Sequence, residues 1–352
     1  MVLPTTPVPP VTSVHAVAFN LVCLSGVKMP MLHPPTSLND VRNLTSLTGH
    51  DGLSGADLYN GNLEDGTPIV VKHSLPGQDL FQRLLGHADS LELTLWHEGA
   101  FDLLPGAVSS PTIGGWVDRD GTWIVMRDLG ARILGLDHPY GVQEIDRLLG
   151  ALDALHSSGL RPKARTPLDK VLGMFSPRRV AAIAASSDLA SKIDRGWSLF
   201  RDIASPGLAE RVIVLANELD PLLSALAARP AGFCHGDIAG VNMAWDGDGV
   251  VLLDWGQAFI GPPALDVARF LPSGLRSSPL NNDDLIGRYR ELLGKRFDPD
   301  GLELSLLAAF VWYGWQKTLD AKETADPQRK RIETDNLQWW CERLPRALRL
   351  ID

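Results

Sequence analysis

The segment over residues 231–256, AGFCHGDIAGVNMAWDGDGVVLLDWG, most constrains the fold of this chain. It holds two apolar runs separated by the turn residues DGDG at 246–249, a pattern that is typical of two short strands. Helical hydrophobic periodicity dominates residues 180–228 before it and residues 301–345 after it. The sequence therefore predicts a short β element, with polar residues on tight loops, inside a mainly helical lobe.

The N-terminal half carries a different pattern. The runs ADLYNGNL and TPIVVKHS alternate as strands do, and Asp65 and Gly66 between them are typical of a tight hairpin turn. Residues 79–104 space apolar side chains as an amphipathic helix does, and residues 121–130 form a buried strand that leads into a linker. These patterns predict an α+β protein with a small β-rich N-terminal lobe that has one main helix, and a larger, mainly helical C-terminal lobe.

Composition narrows the classes of partner and compartment. The 352 residues include 33 Lys and Arg against 42 Asp and Glu, and the net charge of −9 disfavours nucleic acid as a partner. Three cysteines without CxxC spacing predict neither a disulfide framework nor a zinc site. The apolar stretch over residues 14–27 is too short to cross a bilayer, and no basic residue precedes it. We therefore expect a cytoplasmic protein with no membrane partner.

Residues 1–36 are rich in proline and are predicted to form a tail. The pattern of a folded domain begins near Ser37, so Met29 or Met31 is an alternative first residue. Whether residues 1–30 belong to the native protein stays open.

Three polar side chains of the 231–256 segment carry the chemistry. Asp237 and Asn242 belong to an HxDxxxxN spacing, and Asp254 ends the apolar run VVLL. Phosphoryl transfer needs a carboxylate beside the attacking hydroxyl, and an amide oxygen with a second carboxylate to hold Mg²⁺. Because Mg²⁺ prefers oxygen ligands, few of them from the protein, one Asn and one Asp are a sensible set. The alternative is that these residues only form turns and end a strand.

The stretches HGDIAGVN and LLDWG resemble the catalytic loop and the metal-binding segment of the aminoglycoside phosphotransferase and choline kinase family, the small-molecule branch of the protein-kinase-like fold. The resemblance implies that Asp237 is the catalytic base or hydroxyl-orienting carboxylate, and that Asn242 and Asp254 bind Mg²⁺. It implies ATP as the phosphoryl donor, with GTP not distinguished. It also implies a nucleotide-binding lobe over 37–126, a hinge over 127–130, and a catalytic and substrate-binding lobe over 131–352.

The resemblance assigns Lys72, in PIVVKHS, to the α- and β-phosphates of the nucleotide. Such a lysine pairs with a glutamate of the next helix. Glu92 and Glu98 are both candidates, and Glu98 is favoured because HEGAFDLL resembles the family's helix. A solvated surface position is the alternative for Lys72.

Two further stretches are predicted to contact the nucleotide. The loop GHDGLSGADLY would cover the phosphates, with Gly52, Ser54 and Gly55 letting backbone N–H groups approach anions. The stretch IVMRDLG resembles the strand and linker that receive adenine. Its contacts would come from the backbone of Met126, Arg127, Asp128 and Leu129.

A small-molecule acceptor is predicted from the length of one loop. Only WGQAFIGPPAL separates Asp254 from Asp266, which is too short for the activation loop that carries a peptide in protein kinases. Carboxylates could pair with a polyamine, and aromatic rings could enclose a quaternary ammonium. The alternative is that the aromatic stripe belongs to the core. The candidate acceptor-binding residues are Asp283, Asp284, Trp312, Trp315, Asp320 and Glu323.

Three other residues receive structural interpretations. Asp266 opens the helical stretch LDVARFL and is placed as an N-cap, and His235 is interpreted as an organiser of its loop. Ala239 falls where protein kinases carry a phosphate-contacting lysine. The charge of the transferred group must then be met by Lys72 and the metal ions, or by a group that the sequence does not reveal.

The preferred prediction is that the protein is an ATP- and Mg²⁺-dependent O-phosphotransferase. Its acceptor would be a small, amine-bearing and hydroxylated molecule, such as an aminoglycoside or a peptide or nucleoside antibiotic. A metabolic kinase for choline, an amino sugar or another sugar is the alternative within the same chemistry, and a nucleotide-binding pseudokinase scaffold is the alternative outside it. The sequence does not choose between a monomer and a homodimer.

Overall fold

The computed structural model describes residues 33–47 and 55–352, and residues Pro34–Asp352 belong to one compact unit. The strands of its first part are β1 (Val41–Ser46), β2 (Asp57–Leu63), β3 (Pro68–Ser74), β4 (Val108–Ser109), β5 (Thr112–Asp118) and β6 (Gly121–Arg127). Five of them form an antiparallel sheet in the order β1-β2-β3-β6-β5. The predicted hairpin is confirmed as β2 and β3, and Gly66 takes the left-handed φ of +86° that its turn requires.

The two faces of this sheet have different neighbours, because successive side chains of a strand point to opposite sides. Ile69 and Val71 of β3 are fully buried in the core of one face. Val70 belongs to a separate cluster with Ile124 and with Leu93 of the following helical region. Lys72 shares the face of Val70, so the alternation of β3 directs its side chain to the side where those helices pack.

The single helix predicted over residues 79–104 is wrong. Two short helices take its place, α1 (Leu80–Leu85) and α2 (Leu91–His97), followed by a 3₁₀ turn at Ala100–Leu103. Gly86 ends α1 with a left-handed φ of +78°. Ser90 then begins α2, since its hydroxyl accepts a hydrogen bond from the Leu93 N–H. These capping residues override the continuous apolar spacing.

The rest of the chain is mainly helical, as predicted. Its helices are α3 (Val142–Ser157), α4 (Leu168–Leu172), α5 (Pro177–Ala184), α6 (Asp188–Ile203), α7 (Pro206–Asn217), α8 (Asp220–Ala227), α9 (Ala264–Gly274), α10 (Asn282–Leu293), α11 (Pro299–Glu323) and α12 (Pro327–Leu348). Helix α11 packs against α6, α9 and α12, and most of its residues are buried. Within the described residues, no helix is long and apolar enough to span a membrane.

The predicted β interruption of the helical lobe is present. Strand β7 (Gly232–Cys234) pairs with β10 (Phe259–Gly261), and β8 (Met243–Asp246) forms a hairpin with β9 (Gly249–Leu252). Strand β4 joins β9 in parallel. The polar residues of interest lie on the loops that leave β7 and β9, so two small sheets hold these loops in place.

Candidate active site

The buried carboxylate of Asp266 holds the loop that follows β7 in place. Asp266, in the first turn of α9, accepts hydrogen bonds from the backbone N–H groups of His235 at 2.9 Å and Gly236 at 2.8 Å. It also pairs with the Nε2 atom of His156 at 2.9 Å. Burial alone would raise the pKa of Asp266, but the hydrogen bonds from His156 and from the backbone lower it. The N-cap prediction for Asp266 is wrong, because Pro263 precedes α9 and the carboxylate turns toward the loop.

His235 organises the same loop from within. Its Nδ1 atom accepts a hydrogen bond from the Asp237 N–H at 3.2 Å, and its Nε2 atom donates to the Leu253 carbonyl at 2.9 Å. The ring is fully buried, and this burial lowers the pKa of His235. A neutral ring satisfies both contacts, so the histidine links the Asp237 loop to the segment that carries Asp254.

Gly236 allows the two loops to approach each other. It adopts a φ of +88°, and an added Cβ would lie 2.4 Å from the carbonyl oxygen of Gln257. A side chain at this position would therefore be strained and would also push the loops apart.

Both carboxylate oxygens of Asp237 are engaged. The Asn242 Nδ2 atom donates to Oδ2 at 2.9 Å, and the Arg269 Nη2 atom donates to Oδ1 at 2.6 Å. Because the nitrogen of the Asn242 amide is directed at Asp237, its oxygen is left for another ligand. The backbone carbonyl of Asn242 accepts from the Leu253 N–H at 2.9 Å, which places Asn242 beside the Asp254 segment.

Sequence reasoning missed Arg269. It lies on α9, where every residue from Ala264 to Pro272 is buried, and its side chain is only 10% exposed. An arginine that follows Asp266 in a helix of otherwise mostly apolar residues is the signal that could have found it, since buried arginines are nearly always paired.

Asp254 has an unusual backbone conformation. It is one of two non-glycine residues in the described part of the chain with a left-handed φ, which is +60°. Its Oδ1 atom lies 3.2 Å from the Nζ atom of Lys72. The positive charge of Lys72 is the main cause that lowers the pKa of Asp254. Strained conformations of this kind cluster at functional sites.

Lys72 reaches this carboxylate from the other lobe. Burial by itself would lower the pKa of Lys72, but the negative charges of Asp254, Glu92 and Asp79 raise it above its ordinary value. Glu92 is 2% exposed and accepts a hydrogen bond from the Thr112 hydroxyl at 2.7 Å. Burial raises the pKa of Glu92, whereas the charge of Lys72 lowers it. All four of these charged side chains line one cavity between the lobes.

The preference for Glu98 over Glu92 as the partner of Lys72 is corrected by this geometry. Glu98 caps the C-terminal end of α2, and its carboxylate accepts from the backbone N–H groups of Lys163 and Ala164 at 3.1 and 3.2 Å. Glu92 lies in the first turn of α2, on a buried face. Six residues advance a helix by about 600°, so the two side chains point in different directions.

Only some of the other residues predicted to contact the nucleotide lie in the part of the chain that the structure describes. Gly52 and Ser54 lie outside the described residues, whereas Gly55 adopts a left-handed φ of +81°. Met126 and Arg127 end β6, and the N–H groups of Arg127 and Asp128 donate to the carbonyls of Pro111 and Pro68. Leu129 is buried. The N–H groups of two of these four residues are thus used within the protein, and their carbonyl groups stay predicted contacts of adenine.

The aromatic residues predicted to bind the acceptor lie in the core. Trp312 is 1% exposed and Trp315 is 3% exposed, and Trp315 packs against Phe175 with ring centroids 5.6 Å apart. This prediction is wrong, because α11 is covered by helices on most sides. The aromatic spacing therefore serves packing.

The predicted acceptor-binding carboxylates all have protein partners. Asp283 pairs with Arg343 at 2.6 Å, and Asp284 caps α10 by accepting from the Asn281 N–H at 2.9 Å. The remaining two carboxylates are paired as well, Asp320 with Arg276 and Glu323 with Arg195. Three of these carboxylates are therefore neutralised by arginines and the fourth caps a helix, and their role in acceptor binding stays a prediction.

Comparisons with known proteins agree with this chemistry. A family model described as the phosphotransferase enzyme family matches residues 105–304, which is more than half of the chain. The structure is similar to that of choline kinase LicA from Streptococcus pneumoniae, with 12% identity, a TM-score of 0.51, and coverage of 88% of this chain and 95% of that chain. No curated protein matches the sequence.

Other solved structures are similar at lower TM-scores. A putative fructosamine-3-kinase from Thermobifida fusca is 19% identical, with a TM-score of 0.45 and coverage of 87% of this chain and 94% of that chain. An aminoglycoside phosphotransferase from Alicyclobacillus acidocaldarius is 14% identical, with a TM-score of 0.45 and coverage of 90% and 92%. At such identities the likeness concerns the fold alone. The fold is protein-kinase-like, with a small sheet lobe and a larger helical lobe.

Proposed function

Because this chain belongs to the phosphotransferase enzyme family, we propose that it is a small-molecule kinase that uses ATP and Mg²⁺ to phosphorylate a hydroxyl group of its acceptor. The observation that carries the proposal is the contact between Asp237 and Asn242, held beside the pair of Lys72 and Asp254. These are the residue types that phosphoryl transfer requires. Their presence together supports an active kinase over a pseudokinase scaffold.

The donor set of this site fits Mg²⁺. Asn242 offers its amide oxygen, and Asp254 offers a carboxylate whose pKa is lowered by Lys72. Oxygen ligands of this kind and number are those that Mg²⁺ takes from proteins. Asn242 and Asp254 would hold the ion, which when bound would neutralise charge on the phosphate groups.

Lys72 is suited to hold the phosphates of the nucleotide. Three carboxylates keep its ammonium group charged although the side chain is 17% exposed. In the presence of a nucleotide, phosphate oxygens would take the place of Asp254 as its partner, and Glu92 would remain on its other side. We assign ATP as the donor on the strength of the family and of these residues.

Asp237 would orient the hydroxyl group of the acceptor and take its proton. Each carboxylate oxygen accepts one hydrogen bond, from Asn242 or from Arg269, and each has a second lone pair for a further donor. The attacking oxygen would form its bond to the γ-phosphorus while the bond to the leaving ADP oxygen breaks. The proton would pass to Asp237, which the buried loop holds in place.

We propose a small acceptor, because little chain separates Asp254 from α9. A 3₁₀ turn at Trp255–Gln257 and strand β10 occupy this stretch, and β10 is paired with β7. An antibiotic acceptor, such as an aminoglycoside or a peptide or nucleoside antibiotic, is the first candidate. A metabolic hydroxylated acceptor such as a sugar is the second, and one observation favours it: the acids predicted to bind amines are paired with arginines or cap a helix.

The test is ADP release with Mg²⁺ and ATP over a panel of aminoglycosides, peptide and nucleoside antibiotics, choline, amino sugars and neutral sugars. In Asp237→Asn, we expect kcat to fall by about 10²- to 10⁴-fold while the Kd for ATP stays within about twofold, as the loss of a general base predicts. Chelation of Mg²⁺ should abolish ADP release. Asp248→Asn is the matched control, because Asp248 lies exposed on the turn of the β8–β9 hairpin. Normal turnover in Asp237→Asn would refute the assignment.

A further inference from the structure

Helix α9 brings one cation against the proposed base. The Arg269 Nη2 atom lies 2.6 Å from Oδ1 of Asp237, and the two side chains are only 10% and 15% exposed. Ala239, at the position where protein kinases carry a lysine, is 3% exposed and supplies no charge. We propose that Arg269 is the positioning residue of the phosphotransfer reaction, which holds the Asp237 carboxylate in the orientation that receives the acceptor hydroxyl. This inference rests on the proposed function.

Arg269 and Asn242 fix the carboxylate from two sides. Arg269 donates to Oδ1 and Asn242 donates to Oδ2, so rotation of the carboxylate about its last bond would break both hydrogen bonds. Hydrogen bonds with a charged partner are about twice as strong as neutral ones. The lone pairs that remain therefore point in fixed directions, and the direction of the incoming O–H bond is fixed with them.

Arg269 is itself held by α11. Its guanidinium carbon lies 3.9 Å from the ring centroid of Tyr313, a cation–π contact inside a largely buried site. Tyr313 also interacts with the side chain of Gln257, which follows Asp254 by three residues. The chain of contacts from Asp237 through Arg269 and Tyr313 to Gln257 thus joins the loop of the base to the metal-binding segment.

The energetics favour a functional role for Arg269. Its Nε atom is buried and has no hydrogen-bond partner among the described residues. A buried donor without a partner costs about 1–3 kcal/mol, and apolar side chains often replace buried ion pairs without loss of stability. If this position served only packing, an apolar residue would be sufficient, as at the neighbouring positions of α9. The contact that orients Asp237, by contrast, requires a hydrogen-bond donor.

The experiment measures kcat, the KM for the acceptor and the Kd for ATP in Arg269→Met and Arg269→Lys. We expect Arg269→Met to lower kcat by about 10- to 100-fold, the effect of a misplaced reacting group, with the Kd for ATP unchanged. Arg269→Lys should restore part of kcat, because it keeps the charge but not the planar contact with Tyr313. Arg288→Met is the matched control, since Arg288 pairs with Asp146 near the surface of the helical lobe.

A double-mutant cycle separates positioning from a general loss of structure. When Asp237 is already changed to Asn, adding Arg269→Met should lower kcat no further, since residues that act as a unit are not additive. Additive losses, or full kcat in Arg269→Met, would overturn the inference while the proposed function stands. If the unchanged protein transfers no phosphoryl group to any acceptor of the panel, the proposed function is overturned instead.

A crystal structure of Arg269→Met provides a readout that does not depend on activity. We expect the Asp237 carboxylate to rotate and to lose its 2.9 Å contact with Asn242. An unchanged carboxylate in this variant would overturn the positioning role whatever the acceptor is found to be.

Discussion

Asp266→Asn tests whether a buried carboxylate outside the reaction holds the catalytic loop. Asp266 is fully buried and accepts hydrogen bonds from three donors, the backbone N–H groups of His235 and Gly236 and the Nε2 atom of His156. An asparagine keeps the size of the side chain but has only one acceptor oxygen. Its amide nitrogen must then face at least one of these donors.

The magnitude follows from the hydrogen bonds that the substitution removes. Hydrogen bonds to a charged group contribute about 1.5–3 kcal/mol each, and a buried donor left without a partner costs about 1–3 kcal/mol. We therefore expect Asp266→Asn to lower the free energy of unfolding by about 3–5 kcal/mol. At about 2 °C per kcal/mol for a chain of this size, Tm should fall by about 6–10 °C. The released loop would also let Asp237 move, so kcat should fall as well.

The assay is thermal unfolding followed by circular dichroism, with kcat measured well below the lower Tm. Asp188→Asn is the matched control, because Asp188 lies exposed in the first turn of α6. A surface charge at a helix N-terminus contributes less than about 1 kcal/mol. If Asp266→Asn unfolds within about 2 °C of the unchanged protein and keeps its kcat, the loop is not held by this carboxylate.

Two further predictions concern the partner of Lys72 and the dependence of stability on pH. Glu92→Gln should weaken ATP binding about tenfold or lower kcat by a similar factor, whereas Glu98→Gln should leave both unchanged. Calorimetry measures the binding and ADP release measures kcat. The reverse result would make Glu98 the partner of Lys72. Burial lowers the pKa of His235 below its ordinary 6.5. Below about pH 6.5 the unfolded chain therefore binds a proton at His235 that the folded protein does not bind. The free energy of unfolding should consequently decrease as the pH falls below about 6.5. The Tm of His235→Gln should decrease less than that of the unchanged protein between about pH 7 and pH 5, and equal slopes would contradict this explanation.

Residues close together in the sequence were predicted well. The β2–β3 hairpin is encoded by its alternation and by its Asp65-Gly66 turn, both of which act within a few residues. Asp237 and Asn242 are five residues apart on one tight loop, so their contact follows from local geometry. Local signals failed where a cap interrupted an apolar pattern, as Gly86 does at the end of α1.

Contacts between distant residues could not be predicted in the same way. The aromatic spacing of α11 is the same for a ligand cage and for a core helix, and only the helices packed around Trp312 and Trp315 show that it is core. The acids Asp320 and Glu323 look free in the sequence, because their arginine partners lie far away in the chain, Arg276 in the turn after α9 and Arg195 on α6.

The sequence by itself determined the chemical groups, since the spacing of Asp237, Asn242 and Asp254 on short loops leaves few arrangements. Only the tertiary structure decided which charges meet. Glu92 faces Lys72 because of how α2 lies against the sheet, and Arg269 reaches Asp237 because α9 packs beneath the loop. A side chain finds its partner through the orientation of whole elements, and that orientation is set by the packing of the core.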